Sequence, residues 1–143
     1  MANGNDPYRA YNFKLEIAGL TEGHFTACEG LGVRVEVIRY REGGNNQVVR
    51  HIPGPVDYAS VTLRYGLTAS RELWDWMLTA VRGKVERRNI SIIMLDSEGS
   101  NEVTRWNLME AWPSEWQGAP LDAMNREIAI DSLTLVFDSL ERA

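Results

Sequence analysis

A two-residue hydrophobic period, in stretches too short for helices, constrains this chain most. In "YNFKLEI", Tyr11, Phe13, Leu15 and Ile17 fall on one side and Asn12, Lys14 and Glu16 on the other. "ASVTLRYGL" repeats the pattern, with Val61, Leu63, Tyr65 and Leu67 against Thr62 and Arg64. Side chains alternate across a strand, so each stretch predicts a strand with one buried face. Two further stretches change phase. Val33, Val35 and Val37 give way to Ile38 and Tyr40, and "REIAIDSLTLVF" shifts between Ile130 and Leu133. A phase change predicts a bulge or a change of packing partner. "NISIIML" is almost continuously apolar and predicts a strand covered on both faces. "DSEGSN" predicts a hairpin turn. "EVTRWNLMEAW" predicts a strand ending at Pro113, with "SEWQGAPLDAMN" as a loop.

One segment has helical spacing. Ser70 is the predicted N-cap, and Gly83 lies where a left-handed residue would end the helix. Leu73, Met77, Ala80 and Val81 form the predicted inner stripe, widened by Trp74 and Leu78. Trp74 and Trp76 are two residues apart and cannot share a face. With Trp74 turned inward, Trp76 is left at the flank as a possible subunit contact.

The sum is about six strands, one helix, and neither a repeat nor a linker over 143 residues. The predicted fold is mainly β (α+β): one domain, a small antiparallel β-barrel of about six strands with one flanking helix. A two-sheet sandwich is the alternative. A domain near this length buries about 70% of its unfolded surface, enough to fold without disulfide or metal.

Charge and composition narrow the function. The net charge of −5 argues against a nucleic-acid binder, whose footprint is normally basic. Cys28 is the only cysteine, so no disulfide within the chain is possible. "MANGNDPYRAYNF" lacks the charged and then apolar build of a secretory signal, and residues 1–9 are expected to be loosely held. No apolar run approaches the ~20 residues of a membrane-spanning helix.

The residue types that catalysis needs are present but not assembled. His24 and His51 have no partner at ligand spacing, and no C-x-x-C, H-E-x-x-H or G-x-x-x-x-G-K-[ST] occurs. A hydrolase using Cys28 and His51 competes with a buried, inert cysteine; Glu29 next to Cys28 would raise the thiol pKa and favours the latter. Glu16, Glu36, Glu98, Glu102 and Glu110 are assigned to solvated faces. The expectation is no catalytic residue, no cofactor and no metal.

"REGGNNQVVRHIPGPV", Arg41 to Val56, fits none of this. A phosphate cradle needs a helix N-terminus after the glycines, and here Pro53 and Pro55 follow instead. Gly43, Gly44, Asn45 and Asn46 suit a soluble extension, while Val48, Val49 and Ile52 suit anchors on something outside the chain. Other strands carry apolar residues on both faces, such as Ile92 beside Ile93, Met94 beside Leu95 and Leu108 beside Met109. With five tryptophans (Trp74, Trp76, Trp106, Trp112, Trp116), this is more apolar surface than a lone small barrel covers, and the excess points to partners.

Four segments, in order, resemble the tail tube proteins of contractile phage tails and contractile injection systems, which are similar in fold to the ring-forming tube protein of type VI secretion. They are "YNFKLEIAGLTEGHFTACEGL", "YREGGNNQVVRHIPG", "MEAWPSEWQG" and "NREIAIDSLTLVFDSLE". Phe137-Asp138-Ser139 stands where relatives often have His-Glu-Gly. The resemblance implies a non-enzymatic subunit of six-membered rings that stack into a hollow tube. It implies partnership with a sheath, with baseplate or tube-initiator and tail terminator proteins, and with a luminal cargo protein. It implies assembly in the bacterial cytoplasm into a phage tail or injection particle, without membrane insertion of the chain. It also assigns residues 41–58, with Arg41, Gly43, Gly44, Asn45, Asn46, Val48, Val49 and Ile52, to an extended hairpin arm between subunits. The other readings are a baseplate tube-initiator or secreted ring protein, and more remotely a monomeric ligand-binding β-barrel.

Overall fold

The structure, a computed structural model, describes residues 13–18, 25–41, 48–66, 71–99, 101–124 and 129–143. In chain order the elements are β1 (Phe13–Ile17), β2 (Phe25–Glu29), β3 (Val33–Arg41), β4 (Val49–Tyr58), β5 (Val61–Gly66), α1 (Glu72–Val81), β6 (Arg88–Leu95), β7 (Glu102–Gln117), β8 (Ile130–Val136) and β9 (Ser139–Arg142).

β7 organises the body because it bends. Glu110, at φ 56°, is the one non-glycine residue with positive φ among those described. Its N–H leaves the ladder and donates to Asn89 Oδ1 at 3.1 Å. Before the bend β7 pairs with β6 and β9, so Leu108 lies between Ile90 and Leu140. Beyond it β7 pairs with β8, and Trp116 lies opposite Leu133. Two antiparallel sheets, β1-β6-β7-β9 and β7-β8-β5-β2, thus share one strand. Leu15, Ile17, Ile90, Ile92 and Leu108 of the first meet Val61, Leu63, Tyr65, Leu133 and Leu135 of the second in one core. The mainly β, antiparallel, one-helix expectation holds. Among the described residues the sheet path stays open from β1 to β2, and no closed barrel is found.

The predicted alternation in β1 and β5 is observed: Leu15, Ile17, Val61, Leu63 and Tyr65 are buried. Ile92 and Ile93 are both buried, as a doubly covered strand requires. Ile93 pairs across to Lys14 and Arg105 on the outer face. The stems of those charged residues can cover it, and the charges interlock above: Arg105 Nε lies 2.7 Å from Glu102 and Arg105 Nη1 3.8 Å from Glu16.

Three expectations need correction. β7 does not end at Pro113 but runs through it to Gln117. The proline sits beside a register shift between Pro113 and Glu115, where a missing N–H is tolerated. β8 does not change phase: Asp131 takes the buried slot in line with Leu133 and Leu135. Its carboxylate accepts the Ala119 N–H at 2.8 Å, which satisfies a charged group where an apolar one was expected.

The helix is rotated from its predicted face. Leu73 and Trp76 are buried and Trp74 is 38% exposed. The stripes through 73-76-80 and 74-78-81 both have helical spacing; the indole of Trp76 decides between them. Its N–H donates to the Glu86 carbonyl at 2.6 Å, and the Arg88 guanidinium lies 5.8 Å from the ring centre. The exit is as predicted. Gly83 has φ 76°, Gly83 N–H donates to Ala80 O and Lys84 N–H to Thr79 O, which is the paired bonding of a Schellman stop. Ser70 lies outside the described residues; the N-cap residue is Arg71.

Candidate functional site

β3 and β4 form a two-stranded sheet of their own. They are nevertheless the outer half of one long hairpin. Glu29 pairs with Thr62 in β2–β5, and Val33 pairs with Tyr58 in β3–β4, so the register carries straight across the break. The break is a joint at Gly30–Gly32, bridged by the Ala59 N–H to the Gly32 carbonyl at 3.0 Å. Gly30 has φ 98°, and a Cβ there would sit 2.4 Å from the Ser60 carbonyl oxygen. Only glycine fits both that backbone and that approach. At the root, Tyr58 meets Phe137 with ring centroids 5.8 Å apart.

Beyond the joint the ribbon is exposed along its whole first strand. Paired residues point to the same side, so the register defines two faces. One carries Val33/Tyr58, Val35/Val56 and Val37/Pro53 near the root, then Arg39/His51 and Arg41/Val49 further out. The other carries Arg34/Asp57 near the root, then Ile38/Ile52 and Tyr40/Arg50. Each face is half apolar and half charged, in opposite order. That is the physical content of the phase change seen in the sequence. A register shift does fall between Val35 and Val37, but the extra residue is on β4, at Gly54–Pro55. A Cβ on Gly54 would lie 3.0 Å from the Glu36 carbonyl. Open grooves run along the ribbon, one lined by Arg39, Arg41, Val49 and His51 and another by Arg34, Glu36, Pro55, Val56 and Asp57.

Of the residues expected in the arm, Arg41, Val49 and Ile52 lie on this ribbon and Val48 just before β4. Gly43, Gly44, Asn45 and Asn46 lie outside the described residues, as do residues 1–9 and His24. The exposed ribbon begins at Val33, ahead of the 41–58 segment singled out in the sequence, because β3 reads equally well as a core strand. Trp76 is 1% exposed and shielded by its own chain, which removes it as a subunit contact. Trp74 is the exposed aromatic of the pair.

The structure does not bring the hydrolase candidates together. Cys28 packs against the core from β2, whereas His51 lies out on β4 opposite Arg39. Burial, and then the Glu29 charge, push the Cys28 thiol up to about 11, away from the reactive thiolate. Among the described residues no three His, Cys, Asp or Glu side chains converge as metal ligands. Among the same residues no helix is long and apolar enough to cross a membrane.

A well-packed body thus carries a ribbon on which large apolar side chains are exposed among the described residues. Residues 9–141 match the family model described as T4-like virus tail tube protein gp19, and the chain belongs to that family. Similar solved structures agree. A chain of the PVC sheath–tube complex, an extracellular contractile injection system in its extended state, is 27% identical over 98% of this chain and 93% of its own, with TM-score 0.86. A chain of the PVC sheath/tube terminator structure is 26% identical over 99% of each, with TM-score 0.87. Hcp1 from Flavobacterium johnsoniae, 14% identical over 91% of this chain and 93% of its own, shares the fold at TM-score 0.57. No curated protein compared by sequence matches significantly.

Proposed function

We propose that this chain is the structural, non-catalytic subunit of the inner tube of a contractile injection machine, with six copies per ring and rings stacked around a hollow axis. The observation that carries the proposal is the β3–β4 ribbon: a preformed strand pair, half apolar on each face, whose first strand is exposed throughout among the described residues. Family membership supports a tube of stacked copies as what covers it. The sheet path, which among the described residues stays open at β1 and β2, supports barrel closure between copies, since an unpaired strand edge is a template for pairing. The whole chain, 1–143, acts as one domain, with the ribbon and its tip, including residues 41–58, as the inter-subunit arm.

The PVC structures described as sheath–tube and sheath/tube terminator complexes support a sheath and a terminator as partners. A baseplate initiator and a luminal cargo protein complete the proposed set. Assembly takes place in the bacterial cytoplasm, before use in a phage tail or an extracellular particle. The ligand-binding barrel is disfavoured because Leu63, Leu108, Leu133, Leu135 and Trp76 fill the space between the sheets.

Negative-stain electron microscopy of the purified chain tests the proposal. Long tubes of stacked rings are expected. Isolated rings that never stack would favour the initiator or secreted-ring reading, and single chains at high concentration would remove the assembly reading.

A further inference from the structure

The direction in which the ribbon leaves the body has to be set by something other than its own strands. It joins the body through two short connections, residues 30–32 and 59–60. Glycine torsions in the first are permissive, and a two-stranded ribbon has no third strand to stiffen it. The bond from the Ala59 N–H to the Gly32 carbonyl ties the two connections to each other, not to the body. Among the described residues no element of the body packs broadly on β3 or β4.

β8 runs beside β5 up to the point where the ribbon begins. Val61 pairs with Leu135, and the same register carried onward would set Ala59 opposite Phe137. There β8 turns away. Trp112 pairs with Val136 and Met109 with Ser139, so β8 and β9 follow β7 in one register on either side of Phe137 and Asp138. The Phe137–Asp138 corner is therefore the partner of the Glu110 bend, and both strands turn together. The corner is pinned from three sides. The Asp138 N–H donates to the Met109 carbonyl at 2.9 Å. The Asp138 carboxylate lies 3.8 Å from Arg87 Nη1 in an exposed pair. Phe137 itself packs against the core. From that fixed point its ring reaches Tyr58, the last residue of β4, with the ring planes inclined at 46°. The 5.8 Å between centroids is within the range of a favourable aromatic pair.

We infer that Phe137 is a positioning residue for the ribbon: its ring, anchored at the corner where β8 leaves β5, fixes the direction in which β3–β4 projects. One corner then sets two angles, that between the two sheets and that between body and ribbon. The consequence for assembly rests on the proposed function. An arm held in one direction loses less freedom when it docks.

Tyr58→Ala and Phe137→Leu test this. The first removes the ring on the ribbon and lies outside the core cluster, so the body still folds. The second keeps an apolar side chain for the core and removes the ring on the body. Nitroxide labels at Arg39→Cys on the ribbon and Asp75→Cys on α1, in a chain carrying Cys28→Ala, report the distance between ribbon and body by pulsed electron spin resonance on the dilute chain. The parent should give one narrow distance. Both variants should broaden it, and Phe137→Tyr should restore it. In both, the concentration at which rings and tubes appear should rise about three- to tenfold, the weight of one aromatic pair. A distance as narrow in Tyr58→Ala as in the parent overturns the inference and leaves the tube reading standing. A parent chain that never assembles removes the tube reading, and the distance measurement still decides the role of Phe137.

Discussion

The β2–β5 and β3–β4 halves of the long hairpin share one register and yet end in opposite environments. In the inner half, Val61, Leu63 and Tyr65 are buried in the core that β5 shares with its neighbour β8 and the opposing sheet. In the outer half, Val33 and Val37 stay more than half exposed. Strand propensity is the same on both sides of Gly30–Gly32, so what differs is what packs on the strands. The inner half has polar residues on its second face; the outer half has apolar residues on both, at opposite ends. A strand pair built to be covered by its own chain needs one apolar face. A ribbon apolar on two faces is completed from outside.

That contrast can be broken most decisively on the outer half. Val35→Asp with Val37→Asp should abolish assembly in sedimentation velocity while melting stays close to wild type, because exposed substitutions usually change stability by less than about 0.5 kcal/mol. Trp76→Ala, by contrast, removes a buried indole and its hydrogen bond to Glu86. A loss of about 3–5 kcal/mol is expected, read as a fall in Tm of about 10 °C or more. Trp74→Ala, on the same helix, loses a partly exposed ring and its edge contact with Trp116 and should lower Tm by clearly less. At the joint, Gly30→Ala forces a side chain into the Ser60 carbonyl at positive φ and should cost about 2 kcal/mol in a denaturant titration. The smallest effect belongs to the outer face of the body. The hydrogen bond from Arg105 holds the Glu102 carboxyl below its usual range. Any stability it adds is present above the unfolded pKa and is lost as pH falls through the lowered folded pKa. The pair is open to water and screened, so Glu102→Gln should leave the acid limb of a stability–pH profile unchanged.

Much of this was legible from alternation alone. β1 and β5 have a single buried face, and the phase of their apolar residues names it. The Gly83 stop was legible too, since a left-handed helix end has few chemical solutions. What was not legible was set by tertiary packing. Trp74 and Trp76 lie on equally periodic stripes, and only the Glu86 carbonyl and Arg88 select Trp76. Asp131 looked like a break in phase because its partner, the Ala119 N–H, is distant in sequence. Pro113 looked like a strand end because nothing local announces that β7 changes neighbour at Glu110. The expectation of an arm rests on glycines that lie outside the described residues, while β3 carries the same valine spacing as any core strand. Its two half-apolar faces became visible only once the pairing with β4 fixed which residues share a side.

Hydrogen exchange on the dilute chain and on assembled material tests most directly whether the ribbon is completed by other copies. The account predicts that amides of Val33–Arg41 and Val49–Tyr58 exchange quickly in the dilute chain and slow strongly on assembly, while those of β5, β6 and β8 are equally protected in both. Equal protection of the ribbon in the two states would contradict it.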